Sequence, residues 1–111
     1  MIGGNIEAVL QTNSGFKANA IGERIAEYED VISLWGWLDL SNGDSKYNYD
    51  AKLQESTHIF ICDYTAIDRK AENKRLTVNG SVYDVLLIDD PMELHQQLEI
   101  YLKYIGGVLN G

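Results

Sequence analysis

The sequence predicts a mainly β fold, and three observations carry that prediction. Apolar and polar residues alternate over short runs, the runs are rich in β-branched and aromatic side chains, and polar turn clusters separate them. An Asn-Gly pair, Asn79-Gly80, lies between two such runs, Arg75 to Asn79 and Ser81 to Asp89. Both of its turn positions tolerate positive φ, so it marks a β-hairpin. At 111 residues, 45% of them hydrophobic, the chain is expected to form a single domain over residues 1–111. Its core is large enough to be stable without a metal or cross-link.

Taken in order, Asn5 to Thr12 places Ile6, Ala8 and Leu10 on one face and Glu7, Val9 and Gln11 on the other, a strand expected to stop at the turn cluster Asn13-Ser14-Gly15. Ala20 to Asp30 is irregular or a short strand, because Gly22 and a C-terminal crowd of acids weaken its helical spacing. Val31 to Leu40 is a strand, with a close backbone approach at Gly36. Residues 41 to 54 form a long polar inter-strand loop carrying Tyr47 and Tyr49. Glu55 to Tyr64 is the clearest strand, with Ile59, Ile61 and Asp63 opposite His58, Phe60, Cys62 and Tyr64.

The last segment reads two ways. Asp90 as N-cap, Pro91 at the first helical position, Leu94, Leu98, Tyr101, Leu102 and Ile105 at helical spacing and Gly106 as a stop favour a helix. Leu98, Ile100, Leu102 and Tyr104, alternating with Gln97, Glu99, Tyr101 and Lys103, favour a half-buried strand. Local rules alone lean to the helix.

The formal charge of −8 and a pI near 4.5 disfavour broad binding to phosphate backbones or anionic lipid. The charge is uneven: Arg69, Lys70, Lys74 and Arg75 crowd into one segment that carries +3 against −11 for the rest. The lone Cys62, flanked by Ile59, Phe60 and Ile61, reads as a small buried hydrophobe and fits a reducing compartment. Residues 1–10 lack the pattern of a secretory signal and no apolar run is long enough to span a bilayer, so the expectation is a soluble protein made in a cytoplasm.

Catalytic and cofactor motifs are missing from the sequence. There is neither a Walker spacing nor a glycine-rich dinucleotide fingerprint. His58 and Cys62 on one strand face would lie about 13 Å apart, too far to share a metal. Asp39, Asn42, Gly43 and Asp44 put their glycine in the wrong place for a calcium loop. Asp89 and Asp90 read as turn and cap residues, and no serine or cysteine has a triad-like context. The chain is therefore expected to be no enzyme and to need no cofactor.

Three features call for an explanation. Trp35 and Trp37, two apart on a strand, share a face that is either core or an exposed partner anchor. Tyr47 and Tyr49 suit either a structural or an interaction role. The basic segment Arg69 to Arg75 is either a solvated turn or a contact to an acidic partner surface or DNA.

A larger pattern is also present. It comprises the run Glu55-Ser56-Thr57-His58-Ile59-Phe60-Ile61, then Tyr64, Ile67 and Arg75, then Asn79-Gly80 followed by Tyr83-Asp84-Val85. It continues with Ile88-Asp89-Asp90-Pro91 and a closing stretch from His95 to Tyr104. In order and spacing it resembles the head-tail joining family of tailed bacteriophages and prophages, the head-closure or stopper proteins. Two departures are that Asp63-Tyr64 stands where the family pattern has a second basic position, and that the first thirty residues are only loosely similar.

The resemblance implies a small antiparallel β-barrel or sandwich with a long inter-strand loop, and residues 96–104 as a strand, which is adopted here over the helix. It implies a structural protein at the virion head-tail interface, forming a homo-oligomeric ring below the portal and adaptor. Such a ring retains packaged DNA and docks the tail or tail terminator, and DNA passes through it without sequence-specific binding. On this reading Asn42, Asp44, Lys46, Tyr47, Tyr49 and Asp50 are candidates for a gating or inter-subunit loop, and Arg69, Lys70, Lys74 and Arg75 for a basic partner contact. The alternatives are an adaptor or tail-terminator ring protein, or a small β-barrel that binds oligonucleotides. The last would need basic and aromatic residues on one strand face, whereas here they fall mainly in separate loops.

Overall fold

The structure, a computed structural model, describes residues 4–40 and 56–106. The long loop expected at 41–54 lies outside the described residues, and with it Asn42, Asp44, Lys46, Tyr47, Tyr49 and Asp50. Six strands, β1 (Ile6–Ala18), β2 (Arg24–Leu40), β3 (His58–Asp63), β4 (Lys74–Val78), β5 (Ser81–Asp89) and β6 (Gln97–Gly106), are joined by short connections and one 3₁₀ turn, Pro91–Glu93. They pair antiparallel in the order β1-β2-β3-β6-β5-β4 and close into a barrel that is not evenly round one axis. The fold is thus mainly β and, of the two architectures implied, a barrel.

The interior follows from alternation along each strand. Ala8 and Leu10 of β1, Leu34 of β2, Phe60 and Cys62 of β3, Leu76 of β4 and Leu98, Ile100 and Leu102 of β6 are all buried in one cluster. Most of their neighbours in sequence are turned to the outside; on β4 Thr77, beside Leu76, is buried as well. On β5 a bulge between Val85 and Leu87 reverses the parity: Tyr83 and Val85 point in before it, Ile88 after it. Without that extra residue Leu87 would take the inner place and Ile88 would be exposed.

Three expectations about the elements need correction or sharpening. Asn13-Ser14-Gly15 does not end β1. The strand runs on through a bulge at Ser14, where the Gly15 N–H donates to Asn13 Oδ1 at 2.9 Å and Gly15 takes φ 138°. The turn chemistry is present but bends a strand instead of closing one. The irregular region before residue 31 resolves into a turn at Asn19–Gly22 and the first half of β2. The Asn19 side chain accepts from the N–H groups of Ile21 and Glu23 there. The final segment is the strand that the resemblance implied: only Pro91–Glu93 is helical, and Gln97–Gly106 pairs with both β3 and β5. The Asn79-Gly80 hairpin has φ 51° and 84° at its two turn residues, which is the geometry that the pair favours.

β1 meets β4 only from Val9 to Thr12, and β3 meets β2 only from Gly36 to Leu40. The far half of the β1–β2 hairpin therefore projects as a two-stranded arm. It is the main reason the molecule measures 47 × 27 × 22 Å. Its base is braced by Arg75, whose Nε donates to Gln11 Oε1 at 2.7 Å and whose guanidinium lies 3.7 Å from the centre of the Tyr28 ring. Gln11 passes the contact on, its Nε2 donating to Asp30 Oδ1 at 2.8 Å.

Candidate functional site

Ring order puts β3 and β4 three strands apart, so the 64–73 connection crosses one mouth of the barrel, and Ile67 and Ala71 pack on the core beneath it. The basic segment lies along this crossing. Arg69 reaches Asp90 at 3.8 Å and Glu93 at 3.6 Å. Lys74 is nearly buried against Asp68 and donates to the Lys70 carbonyl at 2.6 Å. Arg75 braces the arm, and Lys70 is exposed. Three of the four bases close in sequence thus serve three different local tasks, and Lys70 faces solvent.

The same mouth holds a cluster that the sequence reading treated as simple turn residues. The Asp90 side chain is fully buried. It caps nothing through its own carboxylate at the 3₁₀ turn, and accepts instead from the backbone N–H of His95 at 3.1 Å and from the His95 ring Nδ1–H. Tyr64 stacks on that ring at 4.5 Å. Burial pushes the Asp90 carboxyl up. The two hydrogen bonds from His95, with the charges of His95 and Arg69, outweigh it and hold the carboxyl below its ordinary range. Between them the chain is strained: Met92, Glu93 and His95 all have φ near +55°, with values of 55°, 53° and 55°. The sequence signal was Asp90 and His95 five apart around Pro91, a spacing that reads equally well as a cap.

The sign of the resulting pH dependence follows from the lowered carboxyl. Stability supplied by ionised Asp90 is fully present above the ordinary carboxylate range and is lost as the pH falls through its lowered native value. Asp68, lowered mainly by the Lys70 N–H, acts in the same direction. The urea midpoint is expected to fall steadily on acidification below that range. In Asp90→Asn the fall should be visibly shallower, and parallel curves for wild type and variant would remove Asp90 from the account.

Elsewhere the chemistry is quiet. The His58 ring meets Tyr83 edge-on at 5.0 Å, lies 6.4 Å from Tyr104, and has its Nδ1 at 2.8 Å from Thr57 Oγ1, the contacts of a packed histidine. Burial, reinforced by Asp63, pushes the Cys62 thiol up to about 11, far from a nucleophile's range. Burial and then Glu99 push Tyr101 up to about 12. A cavity of about 360 Å³ opens between Tyr28, the 71–74 turn and the β5 bulge, and is lined by Glu72, Lys74 and Asp84 among others. Among the described residues no group of three or more His, Cys, Asp or Glu side chains is placed to hold a metal. Among the described residues no helix is long and apolar enough to cross a membrane.

The outer wall is the other notable surface. Trp35 and Trp37 are 56% and 48% exposed on the outside of β2, which decides the sequence alternative against a core role. Gly36 between them faces in, where the barrel leaves no room for a side chain.

Comparison with known proteins completes the assignment. The family model described as phage head completion protein matches residues 7–103. A protein from Shigella flexneri 2a, solved in solution, superposes with a TM-score of 0.64 at 18% identity, covering 94% of this chain and 95% of that one. A chain of the virion of a native gene transfer agent particle superposes with a TM-score of 0.56 at 12% identity, covering 91% and 94%. At such identities these two establish the fold alone. No curated protein sequence matches. The match over most of the chain places this protein in the phage head completion protein family, whose members are structural, non-enzymatic components of the virion.

Proposed function

We propose that this protein is a head-closure component. Copies of it form a ring below the portal and adaptor at the head-tail interface, hold packaged DNA in the head and then dock the tail. The observation that carries the reading is the family match over residues 7–103. The physics supports it in two ways. A net charge of −8 gives a channel wall that makes no lasting contacts with DNA phosphates, so genome passage leaves nothing to unbind. A closed barrel has few free sheet edges, so copies meet through loops, the arm and side-chain faces instead of by endless strand addition. Asn42, Asp44, Lys46, Tyr47, Tyr49 and Asp50 are proposed to close the channel or bridge neighbours. Within the basic segment Lys70, exposed on the crossing, is proposed to face an acidic adaptor or tail surface, while Arg69, Lys74 and Arg75 hold the crossing and the arm in place.

Electron microscopy of particles from a strain deleted for the gene tests this. Full heads without tails, or heads that have lost their DNA, are the expected result; normal tailed particles would overturn the reading. In the same strain, a copy lacking residues 42–51 should fold with an unchanged urea midpoint and still fail to retain DNA. Full complementation by that copy would remove the loop from the mechanism.

A further inference from the structure

We propose that the outer face built on Trp35 and Trp37 is the docking surface for a second protein of different sequence, one that presents arginine or lysine side chains over an apolar patch. The proposal rests on the chain's being part of a larger assembly, and not on which closure step that assembly performs.

The face is laid out by register. Trp37 lies opposite Ile61 and Asp39 opposite Ile59, and those isoleucines lie opposite Glu99 and Tyr101 on β6. Trp37, Ile59, Ile61, Glu99 and Tyr101 alternate with buried residues and Asp39 follows the partly buried Leu38, so all point outward together. The result is an indole pair continued by two partly exposed isoleucines across neighbouring strands. Single exposed apolar residues are ordinary, but a contiguous patch holding both tryptophans of the chain is not. Tryptophan is among the residues that most often dominate binding energy, particularly where surrounding groups keep water out.

The rim identifies the occupant. Glu7 lies opposite Trp35, Asp39 beside Trp37, and Asp63 and Glu99 beyond Ile61, so among the described residues the surrounding charges are acidic. Indole faces inside a ring of carboxylates suit a guanidinium or ammonium carried on an apolar stem, which gains the cation–π contact and the ion pair at once. A second copy fits poorly. Face against face it would bring these carboxylates onto their own counterparts. Of its described bases, Arg69, Lys74 and Arg75 are engaged in its own fold and Arg24 lies over Phe16, which leaves Lys17, Lys70 and Lys103 exposed on three separate elements and not gathered to meet this face. Beside Trp35 the β2 edge runs on past the end of its β3 pairing, which leaves room for a partner that extends beyond the patch.

Three variants in the deleted strain test the proposal: Trp35→Ala/Trp37→Ala, Glu7→Lys/Asp39→Lys, and wild type with a photo-crosslinking amino acid at position 35. Both double variants should keep the wild-type urea midpoint and sedimentation behaviour, because the exchanged side chains lie outside the core. Both should lower the yield of complete particles at least about tenfold, the size of effect expected on losing one dominant anchor. The crosslink in assembled particles should map to a peptide of another protein with arginine or lysine at the adduct. Complementation at wild-type yield by both double variants overturns the proposal, and so does an adduct joining two copies of this chain or joining it to DNA. If the deletion itself leaves normal particles, the head-closure reading fails. If only the variants complement, the docking face alone fails.

Discussion

Gly36→Ala is expected to lower folding stability by about 3 kcal/mol, the upper end of what forced overpacking costs, and to bring the urea midpoint down with little change in slope. A methyl group built on Gly36 would stand 2.2 Å from the Ile61 carbonyl oxygen, 2.9 Å from the tip of the Phe60 ring and 3.0 Å from Cys62 Cβ. The first of these is backbone in a paired strand, so it moves only if the β2–β3 ladder moves with it. Gly4 presses from another side: a Cβ on it would fall 2.2 Å from Gly36 Cα, and its φ of 145° is itself a glycine conformation. The barrel wall is therefore closed at a point where two glycine backbones meet. Gly106→Ala is the control, since its Cβ would meet nothing within 4 Å. Its folding stability should stay within about 0.5 kcal/mol of wild type. If Gly36→Ala and Gly106→Ala cost the same, the close approach is not a packing constraint.

Gly36 also shows which parts of the fold were legible. Its role could be read locally, because a glycine inside a run of β-formers has few explanations, and the same holds for Asn79-Gly80 in its hairpin. The side of β2 that faces inward was less legible. Leu34 and Leu38 on one face and Trp35 and Trp37 on the other are all apolar, so alternation alone does not choose between them. The choice is made by the glycine that the barrel needs between its walls, and it turns the tryptophans out.

β6 was misread by local rules for a related reason. Leu94, Leu98 and Leu102 satisfy a helix, and Leu98, Ile100 and Leu102 satisfy a strand. The decision lies with β3 and β5, which would both be left with unpaired edges if residues 97–106 coiled. The bulge at Ser14 left a signal, Asn13 and Gly15, that read as the end of a strand, whereas Leu86 lies in an apolar run with no glycine or turn residue to mark its bulge. Of the candidate site residues, Arg69, Lys74 and Arg75 drew attention for their spacing; Lys74 is occupied by its near neighbours Asp68 and Lys70, while the contacts of the two arginines come from segments distant in sequence, with Gln11 and Tyr28 serving Arg75 and Asp90 serving Arg69.

Phe60→Ala is the second large effect, with an expected loss of about 3–5 kcal/mol. Phe60 is the largest of the fully buried side chains and lies on the middle of β3, opposite Leu38 on one side and Ile100 on the other. Removing the ring leaves a void bounded by three strands that are hydrogen-bonded to one another and so collapse poorly around it. Set against a total stability of roughly 5–15 kcal/mol for a domain of this kind, the variant should show a substantially lowered thermal midpoint.

The pair with Gly36 then separates two causes. Because the Phe60 ring is one of the groups that a methyl on Gly36 would strike, Gly36→Ala/Phe60→Leu relieves part of the clash, and its cost should fall short of the sum of the two single costs. The relief must be incomplete, since the Ile61 carbonyl stays where the ladder holds it. Full additivity in urea denaturation would mean that ring and glycine do not touch in the folded protein. Complete rescue would mean that the backbone contact is soft, and that the ring alone forbids a side chain at position 36.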